Sequence, residues 1–223
     1  MNLLKNIEPF SDLSPEELEG LAANSKRRSY PSGSIVLYKG DVGDVIYLIL
    51  KGKVKVVLSN PEGKEIILNT FSVGEYFGEM SIFDHMPRSA NIVAIEDCEF
   101  LMIPEEAVVN QIKKTPALAF KLLSIMSARL RESNEQIASL AHLNVKGRVA
   151  HTLYKLFKKS GKTVDGQNQV IPRPTVKEIA DMSGASRETV SRILTELAKQ
   201  RIISLTKTEI VIHKDLVDGD YAD

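Results

Sequence analysis

The sequence predicts an α+β chain in three pieces: a jelly-roll-like β-roll, one long helix, and a small C-terminal domain of short helices with a β-hairpin. Three observations carry this. Between residues 26 and 103, short β-rich runs recur with turn formers between them. From Pro116 to Asn144 there is neither Gly nor Pro. Beyond Gly161, two short helical segments, each preceded by a capping hydroxyl, share a glycine turn. At 223 residues the chain has room for two ordinary domains.

Ser14-Pro15-Glu16-Glu17 opens the first helix, predicted over 15–23. Ser14 caps it, Pro15 suits the first helical position, and Glu17 completes a capping box. Strands are expected at 34–37, 45–50, 53–58, 65–70, 89–95 and 99–103, with turns at Pro31-Ser32-Gly33, Gly40-Asp41, Lys51-Gly52, Asn60-Pro61-Glu62-Gly63 and Val73-Gly74. Many short strands without intervening helices argue for a sandwich or barrel and against a doubly wound sheet. In the long helix, Leu123, Met126, Leu130, Ser133, Ile137, Leu140 and Asn144 fall on alternating steps of three and four. That heptad seam predicts pairing with a second copy, hence a homodimer. The domains expected are residues 1–115, the helix 116–144, and 145–223, with 160–162 and 165–168 as linker or turn.

Charge is unevenly spread. The chain carries 29 basic and 29 acidic residues, yet residues 147–213 hold 12 Lys/Arg against 6 Asp/Glu, while residues 1–146 hold 16 against 19 and the tail 214–223 holds 1 against 4. A basic block behind an acidic one is the footprint of polyanion binding by one part of the chain. No apolar run reaches the ~18 residues of a membrane-spanning helix, and the N-terminus lacks the order of a signal peptide, so a cytoplasmic protein without membrane contact is expected. The single cysteine, Cys98, permits no internal disulfide.

The β-region holds a stretch with chemistry in it, Glu75-Tyr76-Phe77-Gly78-Glu79-Met80-Ser81 through Pro87-Arg88-Ser89-Ala90. A Gly-Glu turn with a small residue two positions later brings free backbone amides and one carboxylate together. Arg88 offers a planar guanidinium fork suited to a phosphate, and Ser89 adds a hydroxyl. The segment resembles the phosphate-binding cassette of cyclic-nucleotide-binding domains. The resemblance implies that Arg88 and Ser89 hold a cyclic phosphate, that Gly78 offers an amide, that Glu79 accepts a ribose 2′-hydroxyl, and that Met80 and Ser81 line the site. Gly40, Gly43 and Gly52 look like the glycines of the preceding strands in those domains and are read as turning the roll.

The C-terminal domain carries the second signal, residues 175–194. Thr175 caps a helix that buries Ile179 and Ala180, Gly184 makes the turn, and Ser186 caps a second helix that buries Val190, Ile193 and Leu194. This is a helix-turn-helix outline. Arg187, Glu188, Ser191 and Arg192 share the opposite face near the N-terminus of the second helix, the end that enters the major groove. Arginine pairs with guanine and glutamate accepts from cytosine; read alone, Glu188 and Arg192 could equally be a solvated i, i+4 pair. Residues 186–194 resemble the recognition helix of the cyclic-AMP receptor protein / fumarate-nitrate reduction regulator family, and the order of cassette, dimer helix and helix-turn-helix over about 30–213 is that family's order. The resemblance implies a transcription regulator, not an enzyme, with a cyclic nucleotide as effector (cAMP ahead of cGMP), a palindromic double-stranded DNA site with half-sites like TGTGA, and RNA polymerase as partner. Thr175 and Ser186 would then meet phosphates. Ser133 and Asn134 stand where the family places two base-contacting residues. Cyclic di-GMP, or a haem-bound gas through His85 with Cys98 and Met86 nearby in sequence, are the other effectors such a scaffold could sense.

Overall fold

Ser14 caps the first substantial helix as its spacing to Glu17 requires: the Ser14 hydroxyl accepts from the Glu17 amide, and the Glu17 carboxylate accepts from the Ser14 amide. In this computed structural model, which describes residues 2–5, 7–63, 65–164 and 168–213, the chain forms two units, residues 1–131 and 132–223. The first contains α1 (Asn2–Lys5), a 3-10 turn (Glu8–Phe10), α2 (Pro15–Ala23), β1 (Lys26–Tyr30), β2 (Ile35–Leu37), β3 (Val45–Lys51), β4 (Lys53–Ser59), β5 (Glu65–Ser72), β6 (Tyr76–Phe77), α3 (Met80–Asp84), β7 (Asn91–Ala94), β8 (Cys98–Pro104) and α4 (Glu105–Lys114). The long helix α5 (Ala117–His142) crosses from the first unit to the second.

Two four-stranded antiparallel sheets, in the orders β1-β8-β3-β6 and β2-β7-β4-β5, make the roll. Strand β3 shows how one run of apolar residues serves two cores. Tyr47 and Ile49 point between the sheets, where they meet Val54, Phe71, Phe77, Ile92 and Phe100. Ile46 and Leu48 point the other way, onto Phe10, Leu18, Leu21, Ile103, Val108, Leu118 and Leu122. Alternation of side chains along a strand with both faces covered leaves no polar position in the run. The Tyr47 and Phe77 rings stack at 5.1 Å, and Phe77 meets Phe100 edge-on at 5.4 Å. Each such pair adds about 0.5–1.5 kcal/mol beyond its buried area.

The expected strands form, several ending one or two residues from the predicted limits, but the predicted strand at 89–95 shortens to Asn91–Ala94. Two strands of the first unit escaped the sequence reading. β1 is Lys-Arg-Arg-Ser-Tyr, an exposed edge strand whose charges discourage pairing with another chain and hide its β character. β6 is two residues long.

The second unit contains the end of α5, then α6 (Val145–Ser160), β9 (Lys162–Val164), β10 (Asn168–Pro172), α7 (Val176–Ser183), α8 (Arg187–Lys199), β11 (Ile203–Leu205) and β12 (Glu209–Ile212). Its sheet runs β11-β12-β10-β9. The expected terminal hairpin is thus half of a four-stranded sheet, and Lys162, read as linker, starts a strand. β9 is exposed at all three positions, so no buried alternation marks it. Residues 165–167 and the acidic tail 214–223 lie outside the described residues. Val149, Leu153, Ile171, Ile179, Val190, Ile193, Leu197 and Ile210 form this unit's core.

Glu17 does more than cap. Its other carboxylate oxygen accepts from Gln111 Nε2 at 2.9 Å and from the Thr115 hydroxyl, joining α2 to the α4–α5 corner. These contacts, Thr115 first and the Ser14 amide next, hold its pKa below the usual carboxylate value. The stabilisation is therefore present above the ordinary carboxylate range and is lost as pH falls through the depressed value. Melting curves between pH 3 and 6 should show wild type losing more stability than Glu17→Gln over that window; parallel acid limbs would refute the assignment.

Candidate functional site

Arg88 is 6% exposed, which is unusual for arginine, and the residues around it explain how it is tolerated. Its Nη1 donates to the Gly78 carbonyl at 2.5 Å and to Ser81 Oγ at 2.7 Å, and its Nη2 donates to the Val45 carbonyl at 2.9 Å. Burial pushes its pKa down; Tyr47, Asp44, Glu79 and Asp41 act in the opposite direction. Nε is buried and has no hydrogen-bond partner among the described residues.

The loop from Tyr38 to Asp44 is laced to the cassette, with the Gly40 amide on the Arg88 carbonyl and the Arg88 amide on the Asp41 carbonyl. Gly43 lies directly on the guanidinium: a Cβ there would come within 2.1 Å of Arg88 Cζ and Nε. Gly78, at φ 84°, takes a backbone conformation open to glycine, and a Cβ on it would meet Nη1 at 2.8 Å. So Gly43, read from the sequence as shaping the roll alone, also clears the seat of the arginine.

Glu79 is 5% exposed and bonds through Oε1 to Arg129 Nη1 at 2.8 Å. Arg129 also donates to the Tyr76 carbonyl at 2.6 Å, and its guanidinium lies 4.4 Å from the Phe71 ring centre and 4.6 Å from that of Tyr76. This residue was missed by sequence reasoning. Nothing local marks it: it is one of several basic residues on α5, and its partner lies 50 positions away. Ser89 is exposed, and its hydroxyl faces Met80 Sδ at 3.7 Å. The structure thus assembles Gly78, Glu79, Met80, Ser81, Arg88 and Ser89 on one stretch of the first unit, a buried cation and a buried anion side by side with an exposed hydroxyl.

Ser133 and Asn134 are exposed on α5 in the second unit. The apolar seam of that helix is exposed too: Leu123 56%, Leu130 63%, Ile137 64%. Three residues stand behind the haem alternative. His85 is exposed in the left-handed region, Met86 is exposed, and Cys98 is buried with its thiol on the Lys53 and Glu96 carbonyls. Among the described residues, no three His, Cys, Asp or Glu side chains are grouped to hold a metal ion.

In the second unit, Thr175 accepts from the Glu178 amide and Glu178 reaches back to the Thr175 amide, so α7 starts on a full capping box. Gly184 turns the chain at φ 64° and Ser186 caps α8 by accepting from the Thr189 amide. Val190, Ile193, Leu194 and Leu197 are buried, while Thr175, Ser186, Arg187, Glu188, Ser191 and Arg192 are exposed. Glu188 is held below the usual carboxylate pKa by its own backbone N–H first, then by the Ser186 hydroxyl. An N-terminal helix face of Arg, Glu, Ser and Arg, carried on a buried apolar face, is the geometry of a major-groove reader.

The cyclic nucleotide-binding domain family matches residues 27–115, and the Crp-like helix-turn-helix domain family matches residues 147–216. The "Cyclic AMP receptor protein" of Thermus thermophilus is 35% identical over 203 residues, covering 91% of this chain and 90% of the relative. The "cAMP-activated global transcriptional regulator CRP" of Salmonella typhimurium is 35% identical over 199 residues, 88% and 93% of the two chains. Among solved structures, the c-di-GMP-responsive global regulator CLP of Xanthomonas campestris superposes with a TM-score of 0.74 at 26% identity, covering 90% of this chain and 99% of that one. The chain is a cyclic-nucleotide-binding transcription regulator with a DNA-binding helix-turn-helix. It belongs to the CRP/FNR family.

Removing Arg129 leaves Glu79 buried without its partner. Arg129→Met should therefore destabilise the protein by about 3–5 kcal/mol, the range for breaking one side of a buried pair. Urea unfolding of the purified protein measures this, and a loss below ~1 kcal/mol would reduce the pair to a surface contact.

Proposed function

We propose that the effector is cAMP, bound in the β-roll with its cyclic phosphate on Arg88 and Ser89, near the Gly78 amide, and its ribose 2′-hydroxyl on Glu79. The observation that carries this reading is the buried Arg88 beside the buried Glu79: a fixed cation for one phosphate charge next to a fixed acceptor for a sugar hydroxyl. The names of the 35% identical relatives support cAMP over other nucleotides. Cyclic di-GMP is the second reading, favoured by the effector in the name of the Xanthomonas regulator. Resemblance assigns Met80 and Ser81 to the lining and Ser133 and Asn134 to the base. The protein acts in the cytoplasm as a homodimer through the exposed seam of α5, with RNA polymerase as its partner at the promoter. The effector shifts the DNA-binding equilibrium only by its difference in affinity for the two states.

Calorimetry against cAMP, cGMP and cyclic di-GMP tests the effector. Wild type should prefer cAMP, and Arg88→Leu should lose roughly 2–5 kcal/mol of binding energy. Equal affinity in the variant would remove Arg88 from the site, and a preference for cyclic di-GMP would replace the effector.

On DNA, Arg187 and Arg192 read guanines, Glu188 reads cytosine, Ser191 lies on the same reading face, and Thr175 and Ser186 sit on phosphates. The half-sites lie about one helical turn, ~34 Å, apart. Selection from a random duplex library should return a two-fold symmetric motif in the presence of the effector. With Glu188→Ala one base position should relax, at about 1–3 kcal/mol. A motif without two-fold symmetry would count against the dimer, and one indifferent to the substitution would count against the reader.

A further inference from the structure

The molecule's sulfur atoms are unevenly protected. Cys98 is 3% exposed, and its thiol, held between two carbonyls, has its pKa raised chiefly by burial, so it is a poor target for an oxidant. Met102, Met126 and Met182 are partly covered. Among the described residues, the exposed methionines are Met80 at 47% and Met86 at 61%, and both lie in the segment between Gly78 and Arg88. Met80 is also the one whose sulfur accepts the Ser89 hydroxyl, at 3.7 Å.

We infer that Met80 is a reversible oxidation site at which a peroxide switches off effector binding. This rests on the assignment of Ser89 to the phosphate. The reaction is a two-electron oxygen transfer: a lone pair of Met80 Sδ attacks one peroxide oxygen, the O–O bond breaks, and the proton on the attacked oxygen passes to the departing hydroxide or alkoxide, which leaves as water or, from an alkyl peroxide, as an alcohol. The sulfur is oxidised to the sulfoxide and the peroxide is reduced.

The consequence follows from hydrogen-bond chemistry. A thioether is a weak acceptor, so in the reduced protein Ser89 gives up its contact with Met80 easily when a better acceptor arrives. A sulfoxide is polar and places a partial negative charge on an oxygen beside Ser89. It competes for the single hydroxyl proton and repels the incoming phosphate. Arg88 and Glu79, buried and without sulfur, are untouched, so the fold of the roll stays intact.

The test uses the full-length protein, hydrogen peroxide as oxidant and cAMP as ligand. Peptide mass mapping should find an added oxygen on Met80. Treated wild type and treated Met86→Leu should each lose roughly ten-fold in affinity, the equivalent of one hydrogen bond to a charged group. Methionine sulfoxide reductase should restore it. Met80→Leu, compared with itself before and after peroxide, should show no change whatever its starting affinity. The inference is overturned if Met80 resists peroxide, if its oxidation leaves affinity unaltered, or if Met80→Leu remains as sensitive as wild type. If untreated wild type bound no cyclic nucleotide, the effector assignment itself would fail and this inference with it.

Discussion

Taking a guanidinium out of water costs several kcal/mol unless its charge and donors are met inside. Around Arg88 two backbone carbonyls and one hydroxyl meet the terminal nitrogens: the Val45 carbonyl at the start of β3, the Gly78 carbonyl just after β6, and the Ser81 hydroxyl on α3. Three elements of the roll are thereby tied to one side chain. Gly43 and Gly78 are glycines for the same reason, because a Cβ on either would collide with the arginine. The cassette loop, the loop before β3 and the short helix α3 thus share one constraint, and the position of the Arg88 guanidinium follows from it.

The carboxylate beside that arginine has its own cation. Arg129 satisfies Glu79, and Phe71 and Tyr76 cover the guanidinium of Arg129 on its two ring contacts. Two oppositely charged groups, Arg88 and Glu79, therefore sit near each other without neutralising each other directly, each engaged elsewhere. Both side chains are thus fixed by the protein's own groups, Arg88 by Gly78, Ser81 and Val45 and Glu79 by Arg129.

In the second unit the same division of labour holds with simpler means. Helix caps from Thr175 and Ser186, and the left-handed turn at Gly184, are local and require no distant partner. They orient α8 so that one face is core and the other is open. The Arg187-Glu188-Ser191-Arg192 face is then presented by the burial of Val190, Ile193 and Leu197 behind it.

Local signals were legible in the sequence because their physics is local. The capping boxes at Ser14 and Thr175, the cap at Ser186, the turn at Gly184, the uninterrupted α5 and the principal strands of the roll depend on residues within a few positions of each other, and each stands where its spacing places it. Family resemblance supplied the roles proposed for the cassette residues and for the exposed face of α8. What the sequence could not supply has one cause: it depends on pairs brought together from far apart. Arg129 meets Glu79 across 50 positions, Gln111 and Thr115 meet Glu17 across 94 and 98, and Gly43 meets Arg88 through the loop pairing of residues 40 and 41 with residue 88. β1 and β9 hid behind charge and exposure, since an edge strand carries no buried alternation to betray it. The residue types and their order thus determined the class of protein and its two working segments. Only the tertiary structure decided which charge faces which, because a charged side chain on a helix or loop has no periodicity that points to its partner.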